Sequence, residues 1–289
     1  MKIIVIGSNG QLGTDLCDRL KHHELIPLTH DDVEIGDEHA VFSTLPSLHP
    51  DVIINTASFH NVPKCEDQPE QALKVNVLGP RNLAKVCHAM NIWLIHFSTD
   101  YVFDGLKKSP YLETDPPNPL NFYAVTKLAG EETVKIYCER HKIIRVSGLY
   151  GRIPCRAKGG NFVSTMLKLG REKKEIDVVN DEFLTPTNTH DIANQMESLL
   201  PLPDSGIFHI SNSGYCSWHE FASAIFEFSG INVKVNPIPA SAYPSTLKRP
   251  SWSVLENARI KKLGIYQMRH WKEALKDHLK QSPSLLEPK

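Results

Sequence analysis

The 289-residue sequence is short of several things, and each shortage excludes a class of protein. No apolar run approaches the ~18–20 residues that span a bilayer, so no membrane partner is expected. Lys and Arg number 32 against 33 Asp and Glu, a formal net charge of −1. That balance supplies no basic field for nucleic acid or an acidic membrane surface. The six cysteines (Cys17, Cys65, Cys87, Cys138, Cys155, Cys216) are scattered without a C-x-x-C. They argue against a disulfide framework or a zinc ribbon and for a reducing, cytoplasmic setting. Several lie in apolar helical patterns, where a free thiol behaves as a small hydrophobe. None of the 14 histidines forms H-x-x-x-H with a glutamate, so no metal is expected. Ser98 lies near His96, but without a G-x-S-x-G elbow it does not suggest a hydrolase. There is no internal repeat. Met1 runs directly into a strand-like segment, so no signal peptide is expected.

What is present is an α/β rhythm. Lys2–Ile6 is a continuous β-branched run, as in a strand buried on both faces of a parallel sheet. Leu12, Leu16 and Leu20 then mark one buried helical face. Further strands are expected at 24–29, 51–57, 92–98 and 142–146. A long helix is expected over 70–90, kinked at Gly79-Pro80, and a turn plus helix over 118–140. This alternation predicts a Rossmann-type doubly wound parallel sheet with ligands at the carboxyl ends of its strands. Beyond Gly151 the rhythm breaks into a basic loop (152–160) and proline-punctuated chain. Residues 1–150 are therefore read as an NAD(P)-binding domain. Residues 151–289 are read as a smaller substrate-binding lobe, with about 185–205 returning to pack on the first. Phe221, Ala224, Ile225 and Phe228 form a helical stripe read as core.

Two motifs carry chemistry. Gly7-Ser8-Asn9-Gly10-Gln11-Leu12-Gly13 falls between the first strand and first helix. Gly7 permits the turn, Gly10 lets backbone N–H groups approach a pyrophosphate, and Gly13 allows close helix–strand packing at a helix N-terminus that favours an anion. The end of the second strand offers Thr29 and His30, with Asp31 and Asp32 beyond, instead of a ribose-binding acid. A missing carboxylate removes repulsion against a 2′-phosphate, so NADPH is favoured with NADH left open. Asp37 is a candidate for the adenosine end or an ordinary loop acid. The second motif, Tyr123-x-x-x-Lys127, puts a phenol and an ammonium on one helical face, where the lysine can draw the tyrosine toward ionisation. Thr99, at the end of the fourth strand, can orient a substrate carbonyl, although a strand-end Thr is otherwise a turn cap. Hydride transfer with Tyr123 as proton donor is the mechanism these residues predict.

With these residues in place the sequence resembles the extended short-chain dehydrogenase/reductase family, and within it the dTDP-4-dehydrorhamnose reductases. The carriers are GSNGQLG, DVIINTAS, FSTDYVFDG, PLNFYAVTKLAGEE, GGNFVSTML, VVNDEFLTPT, GIFHISNSGYCSW and AYPSTLKRPSWSVLEN. The resemblance implies reduction of the 4-keto group of a nucleotide-linked 6-deoxy sugar by a monomer or homodimer. It implies cofactor contacts from Gly10, Gln11, Leu12, Asp37, Ser58, Phe59, His60, Tyr123 and Lys127. It places Thr99 and Asp100 toward the sugar, and Asn161 and Arg249 toward the diphosphate, where a guanidinium suits phosphate oxygens. The alternatives are a helix-capping role for Asn161 and an ordinary loop cation before Pro250 for Arg249. The departures lie on the substrate side. Gly148 stands where the family has tryptophan, which predicts a roomier pocket. Leu184 and Thr185 replace smaller residues, Pro63 replaces an acid, and 152–158 is an insertion. Another 4-keto sugar nucleotide is thus an alternative substrate. A cofactor-binding regulatory subunit, like that of methionine adenosyltransferase, is the alternative from a different class.

Overall fold

A computed structural model of the protein describes residues 1–155, 159–243, 245 and 247–281. The first half builds β1 (Lys2–Ile6), α1 (Gln11–Arg19), β2 (Glu24–Leu28), α2 (Glu38–Thr44) and β3 (Val52–Asn55). It continues through α3 (Val62–Asp67), α4 (Pro69–Leu73), α5 (Gly79–Met90), β4 (Trp93–Thr99), α6 (Phe122–Tyr137) and β5 (His141–Val146). The second half contains β6 (Leu149–Tyr150), α7 (Phe162–Glu172), β7 (Glu175–Val179), β8 (Phe183–Leu184), β9 (Thr187–Asn188) and α8 (Thr189–Leu199). It ends with β10 (Gly206–His209), β11 (Cys216–Ser217), α9 (Trp218–Ser229), β12 (Lys234–Ile238), α10 (Ala258–Lys262) and α11 (Trp271–Gln281).

Six strands form one parallel sheet in the order β10-β5-β4-β3-β1-β2. The side-chain period of two splits β1 between two cores. Ile3 and Val5 pack with α1 and α8 on one face, and Ile4 and Ile6 with α2, α5 and α6 on the other. Pro27 is accommodated because β2 is an edge strand with no further neighbour to bond. The chain leaves β1 toward one face and β3 toward the other. A crevice therefore opens at their carboxyl ends, where a doubly wound sheet binds its ligand.

The expected helix over 70–90 is divided differently from the sequence reading. A π-helical turn, Lys74–Leu78, joins α4 to α5, and Pro80 sits in the first turn of α5. Its missing N–H removes a bond to the preceding turn, and the irregularity lies there, just ahead of Gly79-Pro80. The return of the chain also runs further than 185–205. After α8 packs beside α1, β10 pairs with β5 and completes the sheet. The other lobe has its own core, in which Phe221, Ala224 and Ile225 of α9 meet Val163 and Leu167 of α7 and Trp271 and Leu275 of α11. Among the described residues no helix is long and apolar enough to cross a membrane, and no group of three or more His, Cys, Asp or Glu could hold a metal ion. All six cysteines are free thiols.

Candidate active site

The glycine loop closes the β1 end of the crevice. A Cβ on Gly13 would overlap the Gly7 carbonyl oxygen and lie 2.8 Å from the Ser8 Cα, so only glycine lets α1 approach so closely. Gly10 is the N-cap of α1 and offers no side chain to its amides. The first-turn N–H groups are thus left to an external acceptor, with the helix dipole behind them. Leu12 itself is buried in the core, so what it can present to a ligand is its backbone. These features fit a dinucleotide pyrophosphate. At the end of β2, Asp32 is folded back onto Thr29, accepting from its N–H at 2.7 Å and its hydroxyl at 2.8 Å. Asp37 is the N-cap of α2, with one carboxylate oxygen accepting from His39 N and Ala40 N.

Across the crevice, Ser58, Phe59 and His60 follow β3. The residue that shapes this segment escaped the sequence reading. Asn76, inside the π turn and 1% exposed, accepts from Phe59 N at 2.8 Å and Ser58 Oγ at 3.1 Å. Its amide donates to Phe59 O at 2.9 Å and to Thr126 Oγ1 at 3.1 Å. One buried carboxamide thus ties the β3 end to the helix that carries Tyr123 and Lys127. A π turn beside such a site is a recurrent device, but its register cannot be read from hydrophobic spacing.

Thr99, Asp100, Tyr123 and Lys127 converge at the end of β4. Tyr123 lies in the first turn of α6, which Asn121 caps and Glu66 secures by accepting from Phe122 N at 2.8 Å. Thr99 lies beside Tyr123 and favours its ionised form, while burial, the larger effect, pushes the phenol up. Lys127 is 2% exposed and donates to Phe97 O at 2.7 Å. Burial draws its ammonium down to about 8, and Glu131, one turn along α6, opposes that shift. Glu131 is itself clamped by Arg145, with Nε–Oε1 at 2.9 Å and Nη2–Oε2 at 2.6 Å, and accepts from Ser98 Oγ at 2.5 Å. This bidentate pair fixes α6 to β4 and β5 and so sets the height of Lys127. Nothing in a Y-x-x-x-K pattern discloses it.

Asp100 is 4% exposed, and burial raises its carboxyl to about 6 against the pull of Ser253, Ser147 and Thr99. Ser147 Oγ donates to it at 2.8 Å and Thr99 Oγ1 at 3.1 Å. The contact leads to the substrate side, because the Ser147 hydroxyl also accepts from Thr185 N at 3.4 Å. The expectation that Gly148 opens room is corrected here. Gly148 has φ +56°, and a Cβ on it would lie 2.7 Å from Leu184 Cδ1 and 2.9 Å from Thr185 O. The bulk missing at 148 is replaced from behind by Leu184, which is buried. Asn161 is a capping-box residue: its Oδ1 accepts from Ser164 N, and its amide donates to Gln11 Oε1 at 2.7 Å and Gly151 O at 3.2 Å. The structure thus uses Asn161 as a helix cap and a tie to the glycine loop. Arg249 lies near Tyr101 and Glu182 and favours the anionic form of each. Tyr101 meets the Tyr123 ring edge-on at 6.1 Å. Residues 156–158 of the expected insertion lie outside the described residues.

This geometry is matched by known proteins over nearly the whole chain. The family described as RmlD substrate binding domain matches residues 1–283. The chain belongs to that family. Among RmlD-family relatives, the spore coat polysaccharide biosynthesis protein SpsK of Bacillus subtilis strain 168 is 39% identical over 285 residues, 98% of each chain. A dTDP-4-dehydrorhamnose reductase crystal structure from Clostridium acetobutylicum superimposes with a TM-score of 0.93 at 40% identity, covering 97% of this chain and 99% of that one. The dTDP-4-dehydrorhamnose reductase of Bacillus anthracis, solved in complex with NADP, also gives 0.93, at 33% identity and the same coverage. The parallel sheet and flanking helices are thus the extended short-chain dehydrogenase/reductase fold, and the RmlD-family chain is an NAD(P)H-dependent oxidoreductase.

Proposed function

We propose that this protein reduces the 4-keto group of a nucleotide-linked 6-deoxy sugar, dTDP-4-dehydro-L-rhamnose to dTDP-L-rhamnose, with NADPH as the reductant. The observation that carries the reading is the meeting of Thr99, Tyr123 and buried Lys127 at the end of β4, beside a glycine loop whose amides have no side-chain cap.

Gly7, Gly10, Gln11 and the Leu12 backbone would hold the pyrophosphate. Asp37 would lie toward the adenosine, and Ser58, Phe59 and His60 would line the other wall. The reduced nicotinamide supplies the hydride when bound. Every other task belongs to this chain. Thr99 orients the substrate carbonyl, and Tyr123 donates a proton to the oxygen as negative charge develops there. The Lys127 ammonium lowers the cost of the phenolate left behind, and its donors can reach the nicotinamide ribose. Asp100 faces the sugar, and Arg249 would meet the diphosphate. Asn161 serves it indirectly, through Gln11 and the Gly151 carbonyl.

The Gly148–Leu184 exchange favours a second reading, another 4-keto sugar nucleotide, because it reshapes the substrate side and leaves the proton donor untouched. The test is oxidation of NADPH and of NADH with enzymatically generated dTDP-4-dehydrorhamnose, product identification by NMR, and Tyr123→Phe as control. Turnover that the substitution abolishes supports the reading. No turnover despite tight NADPH binding would turn attention to other keto sugars.

A further inference from the structure

Residues on both sides of 156–158 are tied across the crevice. On the N-terminal side Arg152 Nε and Nη2 donate to Asp15 Oδ1 at 3.0 Å and Asp18 Oδ2 at 2.7 Å, both on α1. On the C-terminal side Asn161 reaches Gln11, also on α1. Between these anchors Cys155 crosses to the other wall, where its Sγ lies 3.0 Å from His60 Nε2.

The tautomer of His60 follows from its other nitrogen. Nδ1 faces the Ser58 carbonyl oxygen at 3.0 Å, and a carbonyl can only accept. Nδ1 therefore carries the proton, and the lone pair of Nε2 points at the thiol. A thiol and a base in hydrogen-bond contact, with the base oriented by a third group, make an activated nucleophile. The other cysteines sit in different surroundings. Cys65 directs its S–H at the Phe59 carbonyl, 3.3 Å away. Cys87, Cys138 and Cys216 are buried, and burial pushes their thiols up. Cys17 is the more exposed thiol, and burial together with Asp18 raises it too.

We propose that Cys155 is a nucleophilic thiol with His60 as its base, and that covalent modification by soft electrophiles at this sulfur breaks the clasp across the crevice. With a haloacetamide, the sulfur bonds to the methylene carbon and the carbon–halogen bond breaks. Halide departs and the thiol proton passes to His60 Nε2. The adduct then occupies the space of the Cys155–His60 hydrogen bond, beside the wall formed by residues 58–60.

The experiment is limited iodoacetamide labelling of the full chain, with the modified cysteines ranked by peptide mass spectrometry. Exposure alone ranks Cys17 ahead of Cys155, which is only 7% exposed; the proposal reverses that order. His60→Gln, checked for native circular dichroism, slows Cys155 labelling by about tenfold or more and leaves Cys17 unchanged. Labelling of Cys17 first in the wild-type protein overturns the proposal, and this ratio decides even if His60→Gln fails to fold. An unaltered Cys155 rate in the folded variant also overturns it. A third arm rests on the proposed cofactor site: NADPH slows Cys155 labelling. Absence of protection with the other two results intact leaves the nucleophile standing and removes the cofactor from the His60 wall. Cys155→Ser keeps turnover and loses that label, which identifies the sulfur.

Discussion

The two sides of the cleft are built by different physics. On the β4–α6 side, position is set by polar groups that hold one another: Asn76 on residues 58–59, Arg145 on Glu131, Glu131 near Lys127, and Thr99 on Asp100. On the β6–β8 side, position is set by volume and backbone. Gly148 takes a left-handed conformation, and Leu184 fills the space a side chain there would need. Hydrogen-bonded groups tolerate little change, because a partner left unpaired in the interior costs more than the bond itself contributed. Packing can be exchanged between neighbours if total volume is kept. On the proposed function, the reaction is encoded in the rigid side, and the choice of sugar can drift on the other.

Four changes would break or sharpen that contrast. Tyr123→Phe should lower kcat by about a thousandfold, within the range for a lost general acid, with the melting temperature unchanged. Near-normal turnover would remove Tyr123 as the donor. Glu131→Gln leaves the Arg145 charge buried with a neutral partner, and should cost about 3 kcal/mol in urea unfolding. A loss below about 1 kcal/mol would mean that the pair does not hold α6 in place.

Gly148→Ala should cost about 2 kcal/mol, from the positive φ and from overlap with Leu184. Adding Leu184→Ala should recover only the overlap, and a double-mutant cycle measures that share. Strict additivity would break the claim that bulk has been exchanged across this contact. The fourth change, at Asp100, is read against pH. Its folded value is raised from 3.8 to about 6, so its contribution to stability is full below 3.8 and is lost as pH rises through 6. Above that range the protein bears a buried carboxylate, so Asp100→Asn should gain about 3 kcal/mol relative to wild type on going from low to neutral pH. Thermal melts across this range check it, and a flat difference would mean that Asp100 is better solvated than its burial indicates.

The legible part of the candidate site was its local motifs. Thr99, Tyr123, Lys127 and the glycine loop can be read from the chain because each is a short pattern attached to one strand end or one helical turn. Asn76, Glu66, Glu131 and Arg145 could not be read that way. Their partners lie 17, 56, 33 and 14 residues away, and no local period joins them. Gly148 shows the same limit from the other direction. Its missing side chain reads as space until Leu184, from a different strand, is seen to occupy it.

The sequence by itself determined the alternation of strand and helix, the parallel sheet and the candidate reacting groups, because these follow from spacing along a single element. Only the tertiary structure decided that β10 returns to complete the sheet, that Asn161 is spent on a cap and a tie, and that Cys155 meets His60 across the crevice. Each of these is a contact between segments far apart in the chain. Whether such a contact forms depends on how whole elements fill space together, which residue order alone leaves open.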